Sequence, residues 1–186
     1  EDKEKPFCLM LHHKAPHRTW MPDLCDLGRF DSIYFPIPEN FFDTYEDRVA
    51  AQQQEMSIFK DMDLVYDLKL ADKENEIHSS YLEKWGRLLY NNLTEEQKNT
   101  WDDHYDPIIA EFKRQNLQNE ELAIWKYRRY MSDYLSVIYS LDRNIGRVLD
   151  YLDESGLAEN TLVVYVSDQG FYMGEHGWFD KRFMYE

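Results

Sequence analysis

Thr161-Leu162-Val163-Val164-Tyr165-Val166 runs directly into Ser167-Asp168-Gln169-Gly170, and this junction governs how the rest of the chain is read. A β-branched, apolar run bounded by polar turn formers predicts a strand over 161–167 that is buried on both faces. The longest periodic signal lies just upstream. Across residues 122–154, Met131, Tyr134, Leu135, Ile138, Leu141, Ile145, Val148, Leu149 and Leu152 recur at three- and four-residue steps, the pattern of an amphipathic helix packed on a flat partner. Ser155-Gly156 supplies its stop, because glycine takes the left-handed conformation that closes a helix. A second apolar run, Phe7-Cys8-Leu9-Met10-Leu11, breaks off at His12-His13-Lys14-Ala15-Pro16-His17 and predicts a buried strand over 7–12. Strand, helices, strand is the grammar of an α/β fold.

The stretch between these elements, residues 20–120, reads as a mixed and helical insertion. Pro22, Pro36 and Pro38 break up residues 21–42 into irregular chain. Thr94-Glu95-Glu96-Gln97 has capping-box spacing, and Asp106-Pro107 reads as an N-cap followed by proline in a first helical turn. The 186 residues include five Trp, fourteen Tyr and ten Phe, more bulky anchors than a disordered chain carries. Acidic residues outnumber basic ones 36 to 21, for a net charge of −15, which argues against duplex nucleic acid and anionic membrane surfaces as partners. No apolar run approaches the roughly 18 residues of a membrane span. Nothing at Glu1-Asp2-Lys3-Glu4-Lys5 resembles a signal peptide, and two cysteines, Cys8 and Cys25, make no disulfide framework. Asn92-Leu93-Thr94 is a glycosylation sequon of the kind that arises by chance.

In open parallel sheets, ligands bind beyond the carboxyl ends of the strands. Both polar clusters follow predicted strands: Lys14 to His17 after the first, Ser167 to Gly170 after the last. Asp168 and Gln169 offer hard oxygen donors suited to calcium or magnesium, although Asp-Gln-Gly is also ordinary turn chemistry. Gly174-Glu175-His176-Gly177-Trp178-Phe179-Asp180-Lys181-Arg182 then sets an imidazole, a lysine and an arginine in a glycine-punctuated loop.

The block from Asn160 to Gly177, continuing through Phe179-Asp180-Lys181-Arg182-Phe183-Met184-Tyr185-Glu186, strongly resembles the metal-binding block of type I sulfatases, members of the alkaline phosphatase superfamily. Lys14-Ala15-Pro16-His17 resembles their central histidine motif, and helix 122–154 resembles the one before their metal strand. The likeness is greatest to the group that desulfates N-acetylglucosamine-6-sulfate and mucins. It implies part of an alkaline-phosphatase-like sandwich with a mainly parallel central sheet flanked by helices. By this resemblance Asp168 and Gln169 ligate a divalent cation, Ca2+ or Mg2+. Many sulfatases place asparagine where Gln169 stands, so the amide oxygen is kept one methylene further out. Lys181 resembles the lysine that holds a sulfate oxygen and His17 the histidine that serves the leaving oxygen, while Lys14 and His176 are substrate-binding candidates. Plainer readings stand beside these: surface charge for Lys14, an internal hydrogen bond for His176 and a loop histidine for His17. A metal and two cationic donors do answer the negative charge that grows as a sulfate ester breaks.

The resemblance also implies a formylglycine nucleophile, made from cysteine or serine within Cys-x-Pro-Ser-Arg. Cys25-Asp26-Leu27-Gly28-Arg29 keeps the cysteine-to-arginine spacing, lacks the proline and serine, and follows the histidine motif instead of preceding it. It reads as a decoy. The expectation is therefore an internal fragment, 1–186, of a sulfatase catalytic domain whose nucleophile lies in a missing upstream segment, inactive alone. A sulfated glycan is the implied substrate and a periplasmic or secreted location is implied with it. A phosphodiesterase or phosphonate monoester hydrolase of the same superfamily, or a non-catalytic remnant of the fold, are the alternatives.

Overall fold

The computed structural model describes residues 5–185. Residues 1–4 of the amino-terminal stretch, and Glu186 of the terminal Tyr-Glu pair, lie outside the described residues. Among the described residues there are four α-helices: α1 (Val49–Gln52), α2 (Glu83–Asn91), α3 (Glu95–Gln115) and α4 (Asn119–Glu154). A two-stranded antiparallel sheet, β1 (Tyr172–Met173) and β2 (Phe179–Asp180), pairs Tyr172 with Asp180 and Met173 with Phe179.

The spine is α4, 36 residues long and thus about 54 Å at 1.5 Å per residue. It starts three residues before the expected 122 and ends at the expected 154, with Gly156 at φ +71 just beyond. Its fully buried face differs from the expected apolar stripe. Lys126, Arg129, Ser132, Asp133, Ser136 and Ser140 are buried beside Ala123, Tyr127, Tyr130, Val137 and Leu141. Met131, Tyr134, Leu135, Ile138 and Ile145 are only half-buried, and Leu149 is exposed. Charges that neutralise one another pack as well as apolar groups, and hydrophobic periodicity cannot register them. Asp133 accepts from Lys69 at 2.9 Å and from Arg129, one turn away, at 2.6 Å. The serines admit close approach of the 23–31 segment: Ser140 Oγ donates to Asp26 and Ser132 Oγ to Asp31.

The Thr94 capping box opens α3. Thr94 Oγ1 accepts from the Gln97 amide at 3.2 Å and the Gln97 side chain accepts from the Thr94 amide at 2.9 Å. No new helix begins at Pro107; α3 runs through it. Proline there removes the hydrogen bond to the Asp103 carbonyl. That turn is exposed, and Trp101, Tyr105 and Ile109 bury the opposite face on either side of it. Asn116 closes the helix at φ +46, where asparagine is tolerated.

The expected strands 7–12 and 161–167 do not form. Leu162 to Val166 are exposed, from 56% at Val163 to 89% at Leu162, as are Phe7, Cys8, Leu9, Met10 and Leu11. A strand needs a neighbour to take its backbone N–H and C=O groups, and neither run has one among the described residues. Among the described residues the sheet is one short antiparallel pair and not the expected mainly parallel one, and the apolar stripe of α4 meets no flat partner there.

Instead, the core is built from irregular chain packed on α3 and α4. Trp20, Phe35, Phe41, Ile58, Met62, Val65, Leu68, Leu70 and Ile77 all come from the expected insertion. Buried aspartates fold this segment. Asp63 Oδ1 accepts from the amides of Val65 and Tyr66, and Asp67 Oδ2 from that of Asp63. Asp72 takes the amides of Glu76 and Ile77 and an ion pair from Lys113 at 2.8 Å. Burial alone would raise the Asp72 carboxyl, but Lys113 and the two amides outweigh it and bring it from 3.8 down to about 2. A depressed carboxyl stabilises the fold above its unfolded value and loses that contribution as pH falls through its folded value. Denaturant titrations of the Asp72→Asn variant should show it less stable than the parent above pH 4, with the gap closing towards pH 2. A gap that stays constant across that window would mean Asp72 does not act through its charge.

Candidate metal and sulfate site

Two arms of the chain carry the candidate residues, and a shared aromatic core joins them. The first is the turn Lys14–Thr19, closed by the His17 amide donating to the Lys14 carbonyl at 2.9 Å. The exposed His17 ring contacts the Arg18 carbonyl through Nδ1 at 2.7 Å. A carbonyl can only accept, so Nδ1 carries a proton and Nε2 is the nitrogen left over. In the neutral ring Nε2 is an acceptor; it donates only as the imidazolium. Lys14 and His17 border one groove of about 340 Å³, together with Tyr66, Trp85, Leu88 and Asn92.

Arg18 anchors this arm. Its Nε and Nη2 meet Asp67 Oδ1 and Oδ2 at 2.5 and 2.6 Å, a bidentate pair on a fully buried carboxylate. The guanidinium also lies over the Phe179 ring at 5.0 Å. Trp20, fully buried, packs against Tyr130 at 4.5 Å and edge-on to Phe171 and Phe179 at 6.1 Å each.

Those phenylalanines belong to the second arm, residues 168–182. Lys181 reaches back over Phe171, its Nζ 5.8 Å from the ring centroid. The ammonium is shielded from solvent, lies 3.2 Å from Asp180 Oδ1, and is aligned for a hydrogen bond with nothing among the described residues. A buried ammonium with unspent donors is unusual, since such groups are satisfied almost everywhere in proteins. Asp168 and Gln169 occupy an exposed bend two to three residues before Phe171. The Asp168 carboxylate makes no hydrogen bond or ion pair among the described residues, and Gln169 bonds to Ser167 only through its main chain. These are two free hard oxygen donors, which fit part of the six-to-eight-oxygen shell that calcium takes.

His176 is held inside the loop. Its Nδ1 lies 2.6 Å from Asp43 Oδ2, and Asn40 abuts the ring. Tyr45 donates to its carbonyl, and Arg48 pairs with Asp43. Burial opposes ionisation of Asp43, yet Arg48, the Tyr45 amide and His176 hold its carboxyl well below the usual range. Two glycines make this closure possible: at Gly177 a Cβ would stand 2.5 Å from the Phe41 carbonyl oxygen, and at Gly174, 2.5 Å from the Tyr127 ring, both at positive φ. Ile58 and Phe179 then bond across the loop to Gly177 and Met56.

Among the described residues, the one group of three or more carboxylate, thiol or imidazole donors at metal-ligand spacing is Asp23, Cys25 and Asp26. Arg143 fills it, with Nη2 at 3.0, 3.2 and 2.7 Å from these side chains. The same environment makes Cys25 a poor nucleophile, since desolvation and the two carboxylates raise its thiol pKa.

The profile of the sulfatase family matches residues 1–183. This chain belongs to the sulfatase family. It is 47% identical, over all 186 residues, to N-acetylglucosamine-6-O-sulfatase of Bacteroides thetaiotaomicron, covering 33% of that protein. It is also 39% identical to iduronate 2-sulfatase of Mus musculus over 77 residues, 41% of this chain and 11% of the relative. The solved structure of BT4656 in complex with its substrate D-glucosamine-2-N,6-O-disulfate superposes with a TM-score of 0.88 at 47% identity, over 100% of this chain and 37% of that one. The sulfatase chain thus spans about a third of the length of the relative and the structure it matches end to end.

Within this sulfatase chain, sequence reasoning named Lys181 and His17 but missed what fixes them. The Arg18–Asp67 pair links positions 49 apart, one of them inside a segment that reads as mixed and helical insertion. The available signal was Asp63, Asp67 and Asp72 recurring among Met62, Leu64, Val65, Leu68 and Leu70, acids where a purely apolar core would have none.

Proposed function

We propose that the protein of which this chain is part hydrolyses sulfate esters of glycans, with 6-sulfated N-acetylglucosamine as the preferred substrate, in the periplasm or outside the cell. The observation that carries this reading is 47% identity along the whole chain to an N-acetylglucosamine-6-O-sulfatase, combined with the 0.88 superposition. The chain is then an internal part of an alkaline-phosphatase-like catalytic domain, its exposed runs 7–12 and 161–167 completed as strands by the remainder. Lys181 holds a sulfate oxygen with the donors it spends on nothing else. His17, charged and donating through Nε2, gives a proton to the leaving sugar oxygen. Lys14 and His176 serve substrate binding, Lys14 directly from the groove and His176 by fixing the loop that carries Lys181. Asp168 and Gln169 contribute oxygen ligands to a calcium or magnesium ion, which when bound supplies positive charge for the sulfuryl oxygens. The nucleophile, a formylglycine, belongs to a part of the protein outside these residues.

The test is sulfate release from N-acetylglucosamine-6-sulfate by the complete protein, followed by ion chromatography. Chelation with EDTA should lower the rate at least about tenfold, and added calcium or magnesium should restore it. Faster cleavage of phosphate diesters than of sulfate esters would hand the site to the phosphodiesterase reading.

A further inference from the structure

Asp180 is a buried acid of the second arm. It is 1% exposed, closes β2 opposite Tyr172, and sits at φ +71, a left-handed conformation that costs most residues energy but that aspartate and asparagine tolerate. From there its carboxylate turns onto the two cations that follow it. Oδ2 accepts from Arg182 Nε at 2.9 Å, while Oδ1 stands 3.2 Å from Lys181 Nζ without a hydrogen bond of its own. Arg18, on the other arm, adds its charge to the same carboxylate. Burial works against ionisation here, but Arg182 and Lys181 prevail and keep the carboxyl below its ordinary range.

This arrangement does two things at once. A buried anion beside Lys181 keeps the ammonium over Phe171 by charge. The 3.2 Å contact is off hydrogen-bond alignment and engages at most one of the ammonium's three N–H groups, so the others are not consumed by it. An aligned salt bridge would have taken one of the three N–H groups and fixed the directions of the other two. We propose that Asp180 is a positioning residue, whose carboxylate holds the Lys181 ammonium in place while leaving its donors free for an oxygen of the sulfate ester. This rests on the reading of Lys181 given under the proposed function. Arg182, whose side chain is 60% exposed, fixes the other carboxylate oxygen and so the carboxylate plane.

The experiment is a double-mutant cycle on the complete protein, with sulfate release from N-acetylglucosamine-6-sulfate as the assay and thermal melting as the folding control. Asp180→Asn suits the positive φ and removes the charge at nearly unchanged shape. It should lower kcat about 10- to 100-fold with KM within about threefold, the loss expected when a reacting group is displaced and not removed. The Asp180→Asn/Lys181→Ala double variant should be no slower than Lys181→Ala alone, because Asp180 acts through Lys181. Asp180→Gly, which relaxes the backbone instead of straining it, carries the same expectation should the asparagine variant fail to fold. A slow Lys181→Ala enzyme alongside a folded Asp180 variant at wild-type rate would overturn the role of Asp180 and leave the site reading intact. Losses that multiply in the double variant would overturn it too. A Lys181→Ala enzyme at wild-type rate would bring down the site reading itself.

Discussion

Lys181→Ala in the complete protein is expected to lower kcat for sulfate release by about 10²- to 10³-fold, the scale on which removing one preorganised donor to a developing oxyanion acts. The expectation comes from an imbalance in the structure. The ammonium is shielded from water, faces an aromatic ring and has an acid 3.2 Å away, yet satisfies none of its hydrogen-bond donors among the described residues. A purely structural lysine in that position spends its donors on the fold, as buried Lys126 does on the carbonyls of Phe59 and Met62 at 2.9 and 2.8 Å. Removing Lys181 therefore removes little from the folded state, and Asp180 keeps Arg182 as a partner. Stopped-flow or steady-state kinetics with a melting curve would separate the two effects. A large fall in melting temperature with an unchanged rate constant for the surviving enzyme would show that Lys181 supports the fold instead.

Asp67→Asn is the second substitution with a large consequence, here on stability. The Asp67 carboxylate is fully buried and is held by Nε and Nη2 of Arg18 and by the Asp63 amide. Neutralising one side of a buried pair leaves an uncompensated charge, and such substitutions cost about 3–5 kcal/mol. The loss should appear as a lower denaturant midpoint at an unchanged slope. Because Arg18 follows His17 directly and stacks on Phe179, freeing it also unties the two arms, so activity should fall at temperatures where the variant is still folded. Replacing both partners, as Arg18→Met with Asp67→Leu, should recover part of the stability, less what the unpaired Asp63 amide costs, and little of the activity. A loss below about 1 kcal/mol for Asp67→Asn, the worth of an exposed pair, would contradict the account.

Helices were legible from local rules. The Thr94 capping box, the end of α4 at 154 and the turn at Gly156 depend on contacts within a few residues, and each stands where the sequence placed it. Pro107 did not, because a capping signal says where a helix can start and not whether one already runs through. The candidate site was legible only in part. His17, Asp168 and Lys181 fall in stretches whose residue types are chemically distinctive, whereas Arg18, Asp67 and Asp180 look like ordinary loop charges until their burial is known.

By itself, the sequence carried the resemblance to the sulfatases and the polar residues proposed for sulfate chemistry, and it placed the start of α3 and the end of α4, which follow from residue type and short spacing. Tertiary structure alone decided which residues are inside. Trp20 and the aspartates at 63, 67 and 72 are buried, and the apolar run 162–166 is exposed. The physical reason is that burial belongs to pairs of surfaces: a β-branched run becomes a strand only beside another strand, and a carboxylate enters a core only when a distant arginine or backbone amide arrives to meet it.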